Sequence, residues 1–181
     1  EQIKARNVTV GLVDAAGAIA TAIVIRAVLL WVDGLDINTF IAIIAGFVVS
    51  QAMLVMVTRI KEKQYARDNQ QDCLQSAFAN GQIALAIRYA GQVISTALAV
   101  TAASYFLTYD ASTLTHSIIW WLVFSIIMTI LVAFLTSFAK RIILWGINLA
   151  EEVDQQHNVG VASVEMAISI SIALILTALM S

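Results

Sequence analysis

The sequence predicts an all-α polytopic transmembrane helix bundle built from repeated helical hairpins, with five visible spans. Three observations carry this. Hydrophobic residues make up 60% of the 181 residues and charged residues only 12%, against about 45–50% and about 25% in a soluble domain. Five stretches reach the roughly 20 apolar residues that a helix needs to cross the hydrocarbon core. No proline interrupts them. Strands are not expected, because open strands leave backbone groups unsatisfied in lipid.

The whole chain, 1–181, reads as one transmembrane domain. The first span covers about 8–32 and the second about 37–60, joined by the turn WVDGLD. The third covers about 83–107 and the fourth about 117–145, joined by TYDASTLTH. The fourth is long enough to project past the membrane. The fifth covers about 159–181. Two polar linkers, about 61–82 and about 146–158, complete the chain. Within the first, Cys73 and Leu74 pair with Ala77 and Phe78 at i,i+4 spacing, as in a short amphipathic surface helix. A plain helical extension of the third span is the favoured reading there. The chain begins with Glu1 rather than Met, so upstream residues are expected, and a span among them would make six. No signal-peptide pattern opens it. The lone Cys73 excludes an internal disulfide and fits a thiol on a reducing face.

Lys and Arg set the orientation of membrane helices. Lys4 and Arg6 precede the first span; Arg59, Lys61, Lys63 and Arg67 follow the second; Lys140 and Arg141 end the fourth. The short turns carry Asp33, Asp36 and Asp110 and no cation. The linkers are therefore expected in the cytoplasm and the C-terminus outside. Trp31, Trp120 and Trp121 fall near the outer interface and Trp145 near the inner one, as an aromatic belt requires. The net charge of −2 gives no sign of nucleic-acid binding.

Spans one, three and five resemble one another: NVTVGLVDAAGAIATAI, GQIALAIRYAGQVISTAL and NVGVASVEMAISISIAL. Their small residues fall in register, and so do Asp14, Arg88 and Glu165. KARN and QQHN each put an Asn just before a span, whereas Asn80 in FANG lies one position out of register. Spans two and four are bulky and aliphatic. Small and weakly polar residues pack membrane helices together, so spans one, three and five are expected to form the inner layer. Spans two and four would face lipid or a neighbouring subunit.

This unit, a long apolar helix, a polar linker ending in Asn, and a helix rich in Ala and Gly, resembles the DUF350 (YjfL-type) family of bacterial inner-membrane proteins. The resemblance covers essentially the whole chain. It departs from the family's pattern in carrying more than one unit and in beginning inside one. It implies a bacterial inner-membrane location and a fold, but no reaction and no catalytic residues.

Arg88 lies in an apolar run, where a charge at the bilayer centre costs about 2.5–3.5 kcal/mol. Asp14, Arg88 and Glu165 each sit about six residues past the inner edge, roughly 9 Å deep at 1.5 Å per residue. Equal depth on parallel helices suggests that Arg88 bridges Asp14 and Glu165, within one subunit or across two. The planar guanidinium can take two carboxylates at once. Thr21, Gln92, Ser95 and Ser169 extend the polar stripe. Two readings compete. A buried clamp would fix helix order. An ion or proton path would use the cluster's net charge of minus one, through a protonated carboxyl or a visiting cation. The clamp is favoured. Arg26, about 18 Å further along the first span, is expected to snorkel to the outer interface, with Asp33 or Asp36 as a surface partner.

Other chemistry is thin. AAGAIA lies within a span, so its glycine packs rather than cradling phosphate. His116 and His157 fall on opposite sides of the membrane. Glu151, Glu152, Asp154 and His157 in AEEVDQQH have the side chains to bind a divalent cation, but a solvated polar segment is the favoured reading. No Ser–His–Asp set can be assembled, and neither a cofactor nor a metal is implied. The sequence thus points to a non-enzymatic integral membrane protein that self-associates or supports a membrane-protein partner in organising the bilayer. An ion or proton conductor using Asp14, Arg88 and Glu165 is the alternative.

Overall fold

The computed structural model describes residues 7–34, 37–69 and 72–181. Lys4, Arg6 and Asp36 lie outside them. The chain is helical and contains no strand among the described residues. Five helices are long and apolar enough to cross a membrane: α1 (Val8–Trp31), α2 (Ile37–Asp68), α4 (Ile83–Ser104), α5 (Leu114–Ile143) and α6 (Val159–Met180). α3 (Leu74–Ala79) is a single short turn-and-a-half in the first linker. One 3₁₀ turn (Ala111–Thr113) precedes α5, and one π-helical turn (Glu151–Gln155) lies in the second linker.

Local chemistry explains the boundaries. Asn7 and Asn158 are N-caps: their Oδ1 atoms accept from the amides of Val10 at 3.2 Å and Val161 at 3.1 Å, occupying a donor that the first turn leaves open. Asn7 also donates through Nδ2 to the Ala79 carbonyl at 2.9 Å, tying the start of α1 to the end of α3. Asn80 caps the end of α3 rather than the start of α4. Gly81 and Gly146 have φ of +84° and +81°, a backbone region that side chains disfavour. They let the chain leave α3 and α5 and enter the next segment. α2 runs eight residues past the expected end at 60, because KEKQYARD contains good helix formers and Tyr65 is buried at its far end. The expected continuation of the third span backwards into 65–78 does not occur. Residues 65–68 belong to α2, and α3 stands apart with Leu74, Ala77 and Phe78 buried and Cys73 exposed.

The helices pack around α4. Of its apolar window 67% is buried, against 22% for α1, 22% for α5 and 33% for α6. α4 makes its broadest contacts with α6 and α1, which lie against it on separate sides. The expected inner layer of three helices is therefore one central helix with two flanking partners, and α1 keeps a face turned outward. The reason is composition: from Val93 to Ala103 the α4 sequence is almost wholly small or β-branched, so neighbours close on every side. Gly91 shows how closely. A Cβ built there would lie 2.7 Å from the Cα of Met166 on α6. Gly46 does the same for α2, where a Cβ would collide with the Val28 side chain on α1.

At the end of the bundle opposite the linkers, Trp121 is buried and donates to the Val100 carbonyl at 3.0 Å. It belongs to the core and not to an aromatic belt, which corrects the expectation for this residue. Trp31 packs edge-on to Tyr109 with centroids 5.3 Å apart. Trp120 and Trp145 are exposed, as belt residues are.

Candidate functional site

The charged layer forms at the linker end of the bundle. Arg88, on the first turns of α4, reaches three acceptors. Its Nε donates to Glu165 Oε2 on α6 at 2.6 Å, its Nη1 to Asp154 Oδ1 at 2.5 Å, and its Nη2 to the Leu149 carbonyl at 2.6 Å. The other oxygen of Glu165 accepts from Lys140 Nζ, on the last turn of α5, at 3.0 Å. The side chains are 17% exposed for Arg88, 7% for Asp154, 4% for Glu165 and 13% for Lys140. At that burial, charges persist only when paired and hydrogen-bonded. The second oxygen of Asp154 accepts from Asn69 Nδ2 at 3.4 Å, which links the two polar segments to each other. Burial pushes the Asp154 carboxyl above its ordinary range, and Arg88 beside it offsets this only in part.

Half of the expected bridge is present. Arg88 and Glu165 meet, but Asp14 does not join them. It lies on an exposed face of α1 and makes no ion pair among the described residues. Asp154 takes its place. The register that aligned Asp14 with Glu165 along the membrane said nothing about which way each faces. The π-helical turn at Glu151–Gln155 carries Asp154 inward beside buried Val153. The second linker is thus only partly the solvated segment expected: Glu152 accepts from Asn158 Nδ2 at 2.8 Å near the surface, while Asp154 is built into the core. No cluster of three or more His, Cys, Asp or Glu side chains able to hold a metal occurs among the described residues.

Lys140, read from sequence only as an orientation signal, is the other member the pattern did not reveal. With it the layer holds two cations and two carboxylates, so it balances where the expected set summed to minus one. Of the supporting residues, Gln92, Ser95 and Ser169 line a cavity beside Lys140, and Ser169 donates back to the Glu165 carbonyl at 2.8 Å. Thr21 serves a different contact: it accepts from Gln51 on α2 at 3.0 Å. Arg26 is exposed on α1 and forms no ion pair among the described residues.

The family model described as Domain of Unknown Function (DUF350) matches residues 34–180. The chain belongs to the DUF350 family. No curated protein and no solved structure matches it. The stretch matched to DUF350 takes in Arg88, Lys140, Asp154 and Glu165 and begins after α1. This DUF350 chain is a multi-pass helical membrane protein whose α4, α5, α6 and second linker are fastened at one end by a chain of ion pairs running Asp154–Arg88–Glu165–Lys140.

Proposed function

We propose that this DUF350 chain is a non-enzymatic bacterial inner-membrane protein that self-associates through α1 and supports membrane organisation or a partner complex. The observation that carries the reading is Asp14. It is an ionisable residue within a helix long enough to span the membrane, on a face that no other part of the described chain covers. Such residues almost always face protein or water and not lipid. Around it Ala15, Ala18 and Ala22 are exposed, and a Cβ built at Gly11 meets nothing within 4 Å. A second helix can therefore approach this face closely, as small residues permit in membranes. The cluster of Arg59, Lys61, Lys63, Arg67, Lys140 and Arg141 at the linker end supports a cytoplasmic position for the linkers and an outer C-terminus. The ion-conductor reading loses its support in the Arg88 layer, where Lys140 and Arg88 balance Asp154 and Glu165, and the carboxyl left without an ion pair is Asp14 on the outer face of α1.

The test is the mass of the protein in lipid nanodiscs, for wild type and Asp14→Leu. The reading expects a defined oligomer of the 19.6 kDa chain that the substitution weakens. A wild-type protein that stays monomeric without a co-purifying partner sinks it.

A further inference from the structure

Beside the ion-pair layer a crevice of about 340 Å³ opens between α2 and α5. Its size is at the lower end of the range of ligand pockets, about 300–1,000 Å³. Two of its lining residues, Ile60 and Ile130, are 46% and 63% exposed, so the crevice opens sideways, where the hydrocarbon of the bilayer lies. At its linker end stand Lys61 and Lys140, and no carboxylate among the described residues lines it. Lys140 is partly neutralised by Glu165, whereas Lys61 donates to the neutral Gln64 side chain at 3.0 Å and forms no ion pair among the described residues. The mouth is therefore cationic; below it Met56, Val57, Ile60, Ile126 and Ile130 give the lipid-facing side aliphatic walls, while Gln92, Ser95 and Ser169 line the inner side.

An independent observation points to an occupant. Thr136, on α5 one turn below Lys140, lines this crevice at 7% residue exposure, and its buried hydroxyl has no hydrogen-bond partner among the described residues. Ser137 and Thr58 satisfy themselves on the preceding turn, on the Ala133 carbonyl at 2.8 Å and the Leu54 carbonyl at 2.8 Å, whereas Ser125 and Thr129, also on α5, share the lack of a partner with Thr136. Leaving a buried hydroxyl unpaired is costly, so an acceptor is expected beside Thr136. Four residues of helix separate it from Lys140, about 6 Å along the axis. A glycerophospholipid presents this sequence of groups: an anionic phosphate, ester carbonyls just beneath it, then acyl chain. Thr129, whose hydroxyl also lacks a partner, lies about 10 Å deeper, where only acyl carbon would reach, and it takes no part in the assignment.

We propose that the α2–α5 crevice binds one anionic glycerophospholipid from the linker-side leaflet. Its phosphate rests on Lys61 and Lys140, an ester carbonyl accepts from Thr136, and one acyl chain lies against Ile60 and Ile130. Basic residues at the membrane surface attract such headgroups. The volume holds the neck of the lipid and the upper part of one chain, while the remainder stays in the bilayer. This site is separate from the Asp14 face and does not depend on self-association.

The experiment is native mass spectrometry of the full chain in detergent with added phosphatidylglycerol or phosphatidylcholine of equal chain length. The variants are Lys61→Gln and Thr136→Val, each checked for unchanged helicity. The expected result is one retained phosphatidylglycerol per protomer, retained in preference to phosphatidylcholine, with affinity falling about fivefold in Lys61→Gln. Thr136→Val, close to isosteric, should weaken retention of either lipid by removing the ester contact. Equal retention of both lipids by wild type, or variants that bind as wild type does, overturns the proposal. So does displacement of the lipid by inorganic phosphate, which would make the ligand a free anion.

Discussion

Arg88→Met removes the guanidinium and keeps an apolar stem of similar reach. Three hydrogen bonds at 2.5–2.6 Å disappear. Glu165 still holds Lys140 at 3.0 Å, but Asp154 keeps only the amide of Asn69 at 3.4 Å. The orphan is therefore Asp154, whose side chain is 7% exposed. Removing one partner of a buried pair costs about 3–5 kcal/mol, chiefly because a charge is left uncompensated. The lower end applies here, since Arg88 is 17% exposed and lies near the linker surface. At about 1.4 kcal/mol per decade, a loss of about 3 kcal/mol changes the unfolding constant by about a hundredfold. SDS titration in mixed micelles, followed by far-UV circular dichroism, reads this directly. Arg88→Met/Asp154→Asn should recover about half of the loss, because the orphaned charge goes too. A single-variant loss below about 1 kcal/mol, or a double variant no more stable than Arg88→Met, would show that burial of these charges does not hold the helices.

Three further outcomes follow from the same geometry. Gly91→Ala places a Cβ 2.7 Å from the Met166 backbone, and overpacking of this kind costs about 1–3 kcal/mol. Gly17→Ala, where a Cβ meets nothing within 4 Å, should cost nothing in the same titration; equal losses in both would mean that α4 and α6 are not in close contact. The raised pKa of Asp154 has a definite sign: the folded state holds this proton more tightly than the unfolded chain does. Its contribution is fully present below the ordinary carboxylate range and is lost as pH rises through the raised value. Wild type should thus gain stability relative to Asp154→Asn as pH falls through that window, and the opposite slope would contradict the burial of this carboxyl. Proton and sodium flux into liposomes should not exceed that of empty vesicles; flux that Glu165→Gln abolishes would make the charged layer a path.

Much of this architecture is written in the sequence. The helix starts at Val8, Ile37, Ile83 and Val159 lie where the apolar runs begin, because length and hydropathy alone decide which segments can span a bilayer. The Arg88–Glu165 contact followed from equal depth on parallel helices. The remainder of the layer did not. Depth fixes position along the membrane but not rotation, so equal depth pairs Asp14 with Arg88 although α1 turns it away. Asp154 comes from a segment whose path depends on Gly146 at φ +81° and on a π-helical turn, neither of which leaves a periodic signal. Lys140 resembles any cation at a helix end until α6 is seen to place Glu165 3.0 Å away. Trp121 departs from the belt for a related reason: next to Trp120 in sequence, it points inward while its neighbour points out.

The most direct test of self-association through α1 is disulfide cross-linking in native membranes. Cys73, the only cysteine, is replaced by Ser, and a cysteine is introduced by Ala18→Cys on the Asp14 face or by Phe134→Cys on the 67%-exposed outer side of α5. Ala18→Cys should give a cross-linked dimer of the chain and Phe134→Cys none. Cross-linking at Phe134→Cys without any at Ala18→Cys would contradict self-association through α1.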